Sequence, residues 1–228
     1  MRITQKISNP LESERSNLIK SRNFMMELPI FAIDNTVVFP RMVVPLYVYE
    51  PQYVRLVDDV LSKPENERLF IMATYIENPE IYSTGTVCRI IQSDRNQDGT
   101  YHLLVVSLMS CEIDEIYDYV LDYRMARIDT NDEDWSGVDP FEMKSRLVEI
   151  LKNEFELLQE MGVNVLDTTF DKMLSIVAFS LPCSLDEKMK ILREYRILQR
   201  YQLVLTYLQE SRILEPFIPL PRDYRIVN

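Results

Sequence analysis

Short apolar runs fill the chain from residue 28 to about residue 127, and polar turns separate them. The runs LPIFAI, VVFP and MVVPLYVY come first, and they are rich in the β-branched and aromatic residues that favour strands. Further strand-like runs cover residues 68–76, 85–94 and 100–108, followed by CEIDEIYDYV and LDYRMARID. Asp98-Gly99 predicts a hairpin turn, because glycine accepts a positive φ. The pattern therefore predicts a small, mostly antiparallel β-barrel.

Prolines interrupt the strand pattern in VVFPRMVVPLYVYEPQYVRLV, residues 37 to 57. Pro40 and Pro45 suit a strand edge or bend, because proline cannot donate to a sheet ladder. Glu50 is the expected cap of a following helix, and Pro51 is its expected first residue. We therefore predict a curled sheet that is closed by one early helix. The apolar face of that helix comprises Tyr53, Leu56, Val57, Val60 and Leu61.

The apolar spacing changes from strand-like to helical near residue 139. Asp139-Pro140 predicts a capped helix start, and Gly162 predicts its end. A second helix is expected over residues 167–181. A capping box at Ser184 opens a third, long helix that reaches about residue 212.

The predicted fold class is α+β, with a β-barrel followed by a three-helix bundle. An acidic segment over residues 129–139 joins the two units. The predicted organisation is a polar leader over 1–24, a barrel subdomain over 25–130, a bundle subdomain over 138–213 and a proline-rich tail over 214–228.

Composition and charge narrow the function classes. The 4 glycines are isolated and none precedes a lysine, which excludes the phosphate-binding loop of P-loop ATPases. The formal net charge of -11 speaks against nucleic-acid binding, which needs clustered Lys and Arg. The 3 cysteines form no CxxC pair, and this favours a reducing cytoplasm over a disulfide framework or a zinc site. No run suits a membrane helix, and the first residues lack the apolar core of a signal peptide.

The sequence offers few catalytic groups. His102 is the only histidine, and it falls in a predicted strand with no second histidine for a metal or a proton relay. Cys88 also falls in a strand, where an inert packed thiol is usual. A hydrolase would need a nucleophile and a base that these residues do not assemble. We therefore predict a protein that is not an enzyme and that uses no metal or cofactor.

The order and spacing of these segments resemble the N-terminal, substrate-binding domain of the Lon protease family. The resemblance spans roughly residues 28–212. It is carried by Leu28-Pro29, Phe39-Pro40, Pro45-Leu46, Glu50-Pro51-x-Tyr53, GTVCRI (85–90), DGTYHLLVVSL and the helical stretch 181–208. The resemblance implies a PUA-like pseudo-barrel followed by a helical bundle, and a role in recognising unfolded or tagged proteins for degradation. Family-motif positions that we expect to be structural are Pro29, Pro40, Pro45, Glu50, Pro51 and Gly85.

Three positions depart from the family pattern. The usual glycine after Phe-Pro is Arg41, and the glycine and arginine of a later strand are replaced by Ser107 and Ser110. Glu50 thereby lacks the arginine that we would expect as its partner. The chain also stops where Lon would continue into its ATPase and protease, so we expect a stand-alone protein.

These observations favour a non-catalytic module that binds protein or peptide segments in the cytoplasm, without nucleic acid or membrane. The segment would lie in a groove between barrel and bundle, or along a barrel edge by strand addition. Tyr47, Tyr49 and Tyr53 are the candidate contact residues, although packing of the barrel more often explains such tyrosines. The alternative function is a scaffold that binds one dedicated partner through the acidic segment or the long helix. RNA binding and hydrolysis are disfavoured by the charge and by the missing catalytic groups.

Overall fold

Strands dominate the first half of the chain and helices the second in the computed structural model, which describes residues 26–117, 122–130, 132–151, 167–214 and 226–227. The strands are β1 (Met26–Ile33), β2 (Val43–Val48), β3 (Leu69–Glu77), β4 (Glu80–Ile81), β5 (Thr84–Arg95), β6 (Tyr101–Tyr117), β7 (Met125–Asp129) and β8 (Ile226–Val227). The helices are α1 (Pro51–Leu61), α2 (Pro140–Ile150), α3 (Phe170–Ser180), α4 (Leu185–Arg193) and α5 (Ile197–Leu214). The predicted leader, the predicted helix stop at Gly162 and residues 215–225 of the predicted tail lie outside the described residues.

Five strands pair in a closed circuit. β1 pairs with β3 in parallel and with β7 in antiparallel fashion. The antiparallel pairs β3–β5, β5–β6 and β6–β7 complete the circuit. β6 is 17 residues long, and its first part also pairs with β2 over six positions. Register shifts interrupt the β5–β6 and β6–β7 ladders, and such bulges bend a strand and increase its twist, as closure requires.

The buried apolar residues of the described chain form two clusters on opposite faces of these strands. Alternate residues of β1 divide between them, with Phe31 and Ile33 in the first and Ile30 and Ala32 in the second. The first cluster also contains residues from all five helices, so sheet and helices bury each other's apolar faces. The second cluster draws on all five strands of the circuit: Leu28, Ile30, Ala32, Leu69, Ile71, Ala73, Val87, Met109, Cys111, Ile113, Ala126 and Ile128. The division into two subdomains near residue 130 stays a prediction.

The predicted helix starts are largely confirmed by their hydrogen bonds. The Asp139 carboxylate accepts from the backbone N–H groups of Phe141 and Glu142, and Ser184 forms the expected capping box with Glu187. Pro51 occupies the first turn of α1, as expected. The prediction for Glu50 is wrong in one respect, because its side chain makes no capping hydrogen bond.

The prediction of one long C-terminal helix is wrong. The chain leaves the helical conformation at Glu194 (φ -73°, ψ 107°), and it forms two helices, α4 and α5. The backbone of Asp134 donates to the Tyr195 carbonyl and accepts from the Ile197 N–H. The Glu194 carboxylate accepts from the N–H and guanidinium of Arg196. These bonds compete with helical ones, and the apolar spacing does not record them.

Gly85 is a family-motif position with no room for a side chain. A Cβ there would lie 2.8 Å from Ile71 Cγ2 and 3.0 Å from the Met72 carbonyl oxygen. Ile71 is fully buried, so it has no space to yield. The close contact between β5 and β3 therefore requires glycine.

Gly85→Ala is expected to lower the free energy of unfolding by about 2 kcal/mol, because it overpacks a buried strand pair. Urea unfolding followed by circular dichroism measures the change. Ser93→Ala is the control, because Ser93 is an exposed residue of the same strand and should leave the midpoint unchanged. An unchanged midpoint for Gly85→Ala would contradict the tight contact.

The ion pair at the α4–α5 junction predicts a pH dependence. Hydrogen bonding to Arg196 holds the pKa of Glu194 below its ordinary value of 4.5. A carboxylate with a lowered pKa stabilises the fold above its unfolded-state pKa, and this contribution is lost as the pH falls through the folded-state pKa. Glu194→Gln should therefore be destabilising at pH 7, and the difference from wild type should shrink below about pH 4.5.

Urea midpoints of both proteins at several pH values between 7 and 3 test this expectation. Glu65→Gln in the exposed 3-10 turn is the matched control. A difference between wild type and Glu194→Gln that stays constant with pH would contradict the role of the ionised carboxylate.

Candidate functional site

Tyr53 lies in the core rather than on the surface. It is 4% exposed, and its hydroxyl accepts from the Ala32 N–H at 3.2 Å and donates to the Ala32 carbonyl at 3.1 Å. Burial raises the pKa of this hydroxyl above its ordinary value. Tyr53 thus fastens α1 to β1, and it is not accessible to a ligand in this structure.

Tyr47 and Tyr49, by contrast, project from the outer face of the sheet. Their rings stack at 5.9 Å, and Tyr47 also lies 4.9 Å from the ring of His102 on β6. Val43 and Tyr49 are 50% and 43% exposed. The intervening residues Val44, Leu46 and Val48 are buried, as expected when alternate residues of a strand face opposite sides. We call the outward set Val43, Pro45, Tyr47, Tyr49 and His102 the β2 face.

The β2 face adjoins a sheet edge. One side of β2 pairs with β6 along all six residues. On the other side β2 pairs in parallel with β8, at Leu46↔Ile226 and Tyr47↔Val227. Within the described residues, the other four positions of β2 have no strand partner on that side. This edge therefore offers backbone hydrogen-bonding groups beside exposed aromatic rings.

A groove of about 390 Å³ lies between α4 and α5. The sequence did not predict this groove, because one long helix was expected in place of α4 and α5. The residues that line the groove also have the composition of an ordinary solvent-exposed helix face. It is lined by Lys190, Arg193, Glu194, Gln199, Gln202, Leu203 and Thr206.

The cysteines are poor nucleophiles in this environment. Cys88 and Cys111 are buried, and burial raises the pKa of both thiols, that of Cys111 to about 12. Thiolate, the reactive form, is therefore scarce at neutral pH.

In the parts of the chain that the structure describes, no group of three or more His, Cys, Asp or Glu side chains could hold a metal ion. No helix among the same residues is long and apolar enough to cross a membrane.

Comparison with known proteins identifies the family. The family model described as the ATP-dependent protease La (LON) substrate-binding domain matches residues 27–210. The chain belongs to the Lon substrate-binding domain family. Lon protease of Dictyoglomus thermophilum is 28% identical over 212 residues, which cover 89% of this chain and 27% of that protein. Lon protease of Brevibacillus choshinensis is 26% identical over 204 residues, covering 84% and 26%.

Solved Lon domains also have the same fold. The N-terminal domain of Mycobacterium avium complex Lon protease superposes with a TM-score of 0.60 at 16% identity, over 81% of this chain and 99% of that one. A Lon N-terminal domain protein from Xanthomonas campestris gives a TM-score of 0.59 at 19% identity, over 79% and 98%. The chain spans about a quarter of the length of the full Lon proteases it matches, so the match concerns their substrate-binding part.

Arg41 and Ser107, two positions at which the resemblance predicted glycine, both contribute hydrogen bonds to the same turn, residues 39–42. The Ser107 hydroxyl donates to the Phe39 carbonyl at 2.6 Å and accepts from the Met42 N–H at 2.8 Å. Its backbone carbonyl accepts from the Arg41 N–H at 2.7 Å. A glycine at position 107 would lack the hydroxyl, so the serine adds two hydrogen bonds that fix the entry into β2.

Arg41 keeps the backbone conformation that a glycine would adopt, with φ +66°. Its guanidinium donates to both Glu133 oxygens, at 3.1 and 2.6 Å, and pairs with Asp171 at the start of α3. Arg200 on α5 donates to Glu133 at 3.0 Å, and both of these side chains are 3% exposed. Arg41 therefore links the β2 turn to the helices through a charge cluster, Arg41, Glu133, Asp171 and Arg200, in which the Glu133 and Arg200 side chains are buried and the other two are partly exposed.

The other altered positions have simple local partners. Glu50, without the arginine expected for the family, accepts from Gln52 Nε2 at 2.9 Å. Ser110 lies opposite Thr86 in the β5–β6 ladder. Several carboxylates of the acidic segment have partners within the protein, since Glu133 pairs with Arg200, Asp134 accepts from the Ser136 N–H and Asp139 caps α2.

A comparison of Arg41→Gly with Arg41→Ala distinguishes the effect of the ion pairs on stability from the effect of backbone strain. Both variants lose the contacts to Glu133 and Asp171, so both should unfold more easily than wild type, by about 2 kcal/mol. The alanine variant should be the less stable of the two by about 1 kcal/mol, because only glycine adopts a positive φ without steric cost. Urea denaturation measures both differences. Equal stability of the two variants would contradict a retained left-handed turn.

Proposed function

We propose that this Lon-family chain is a non-catalytic module that binds unfolded or specific protein segments in proteolysis or its regulation. One observation carries the proposal: an exposed aromatic surface, the β2 face, adjoins a partly unpaired strand edge in a chain whose family is defined by substrate binding. The proposed partners are polypeptides in the cytoplasm, rather than nucleic acids or membranes. We also propose that the closed strand circuit is a PUA-like pseudo-barrel and that α2–α5 form its helical bundle.

The chemistry of the β2 face suits many different polypeptides. A strand edge recognises backbone N–H and C=O groups, which every sequence presents. Tyrosine rings add apolar contact area and a polar tip at a small loss of conformational entropy. Tyr47 and Tyr49 already stack on each other, so little ordering is required when a ligand binds. Such a surface binds weakly and tolerantly, as recognition of unfolded segments requires.

Charge supports a protein ligand over a nucleic acid. The chain carries a formal net charge of -11, which repels phosphate backbones and attracts basic segments at low ionic strength. The scaffold alternative has less support. The long helix proposed to hold a partner is divided at Glu194, and Glu133, Asp134 and Asp139 of the acidic segment have partners within the chain.

Tyr49→Ala tests the proposed surface. Loss of one exposed aromatic contact should weaken binding of a permanently unfolded, reduced and alkylated polypeptide by roughly tenfold, a typical effect of removing a tyrosine at an interface. Fluorescence anisotropy of the labelled polypeptide measures the dissociation constant, and a gel of the same reaction reports cleavage. We expect saturable binding to the wild type and no cleavage.

Two variants serve as controls for this experiment. Ile76→Ala removes an exposed apolar side chain from β3, which does not pair with β2, and should leave the affinity unchanged. Tyr53→Phe removes buried hydrogen bonds and should lower stability by about 1 kcal/mol without changing the affinity. Equal loss of affinity in Tyr49→Ala and Ile76→Ala would show that binding does not involve the β2 face.

A further inference from the structure

A segment of the chain itself lies on the edge of β2. β8 joins the sheet through Leu46↔Ile226 and Tyr47↔Val227, and it runs parallel to β2. β8 has two residues, whereas β2 has six. This pairing gives β2 a second strand neighbour beside β6, and the strand order of the sheet ends with it.

The contact has the geometry of strand addition. An extended chain that lies along a sheet edge gains main-chain hydrogen bonds, and its alternate side chains contact the flanking faces. A longer guest could extend past β8 in both directions, because Val43, Val44 and Val48 lie beyond the two paired positions of β2. A guest residue opposite Tyr47 would lie on the same side of the sheet as the β2 face. β8 therefore occupies about a third of the available edge.

We propose that the outer edge of β2 is a strand-addition site for an extended polypeptide segment running parallel to β2, and that residues 226–227 occupy this site as an internal competitor. This inference rests on the proposed function and specifies its binding site and orientation. A guest must displace β8 before it pairs with Leu46 and Tyr47. Because β8 belongs to the same chain, its effective concentration at the edge is high, and even a short pairing reduces the apparent affinity for a guest.

The substitution of both β8 residues by proline tests the competition in the full chain. Proline lacks the N–H that a ladder requires, so the I226P/V227P variant should expose the edge. A permanently unfolded, reduced and alkylated polypeptide should then bind about threefold to tenfold more tightly than to wild type, as expected when the competent fraction rises. The matched control is I226V/V227I, which keeps β-branched residues and should bind like wild type. A second variant that should also expose the edge, I226G/V227G, shows whether any change in affinity is specific to proline.

Hydrogen exchange locates the guest. The synthetic peptide PRDYRIVN, identical to residues 221–228, should protect amides of β2 in the proline variant and leave those of β3 unchanged. A scrambled peptide of the same composition is its control.

Three other outcomes overturn the inference in distinguishable ways. If the unfolded polypeptide binds wild type and both edge-opening variants equally, without protection of β2, the proposed function stands and the strand site is wrong. If the peptide protects β2 but the unfolded polypeptide binds no variant, the edge serves only as an internal contact, and the proposed function fails with the inference. If neither ligand binds any variant, both are wrong.

Discussion

A buried carboxylate, Glu133, holds the sheet and the helices together. Its side chain is 3% exposed, and it accepts hydrogen bonds from Arg41 in the β1–β2 turn and from Arg200 on α5. A buried charge is tolerated only when it is paired and hydrogen-bonded, because desolvation is otherwise costly. Glu133 therefore fixes two distant parts of the chain relative to one another. The apolar core that spans both parts supplies most of the stabilisation, but it does not by itself select this geometry.

The position of the β2 edge follows from this charge cluster. Arg41 precedes β2 by two residues, and the Ser107 hydroxyl holds the same turn from β6. The start of β2 is thus fixed from the helices on one side and from the sheet on the other. The resemblance predicted a glycine at both positions, and glycine has no side chain that could make either contact. The contacts of Arg41 and Ser107 restrain the turn before β2, and they place the candidate binding surface on a rigid support, as precise binding sites require.

Local chemistry was predictable from the sequence where a single turn or cap determines the structure. Asp98-Gly99 forms the expected turn between β5 and β6, with φ +88° at the glycine, and Asp139 and Ser184 cap their helices. The break at Glu194 was not predictable, because part of its cause is distant in sequence: the backbone of Asp134, about 60 residues earlier in the chain, bonds to Tyr195 and Ile197. The same limit applies to β8, whose partner strand lies far away in sequence and leaves no local pattern.

The candidate site also combines features that local sequence predicts with features that depend on the whole fold. Tyr47, Tyr49 and Tyr53 lie within seven residues of sequence and have similar local chemistry. Tyr47 and Tyr49 border the outer face of the sheet, whereas Tyr53 lies on the inward side of α1 and bonds to Ala32. The helical spacing placed Tyr53 on the apolar face of the predicted helix, and its buried position agrees with that spacing. Which face of a strand meets the core depends on the whole sheet, so the sequence alone did not show that Tyr47 and Tyr49 face outward.

An exposed strand edge can bind a polypeptide segment, but it also favours aggregation, and the β8 pairing reduces the exposed part of this edge. Unpaired backbone groups beside apolar side chains attract any extended chain, including another copy of the same protein. Pro45 lowers the number of N–H donors that β2 offers, and β8 covers two further positions. For the proposed guest segment, both features weaken binding, and neither covers the edge completely. The proposed site must accept unfolded segments without aggregating, and it therefore requires this intermediate state, in which the edge is covered by a contact short enough for a longer strand to displace.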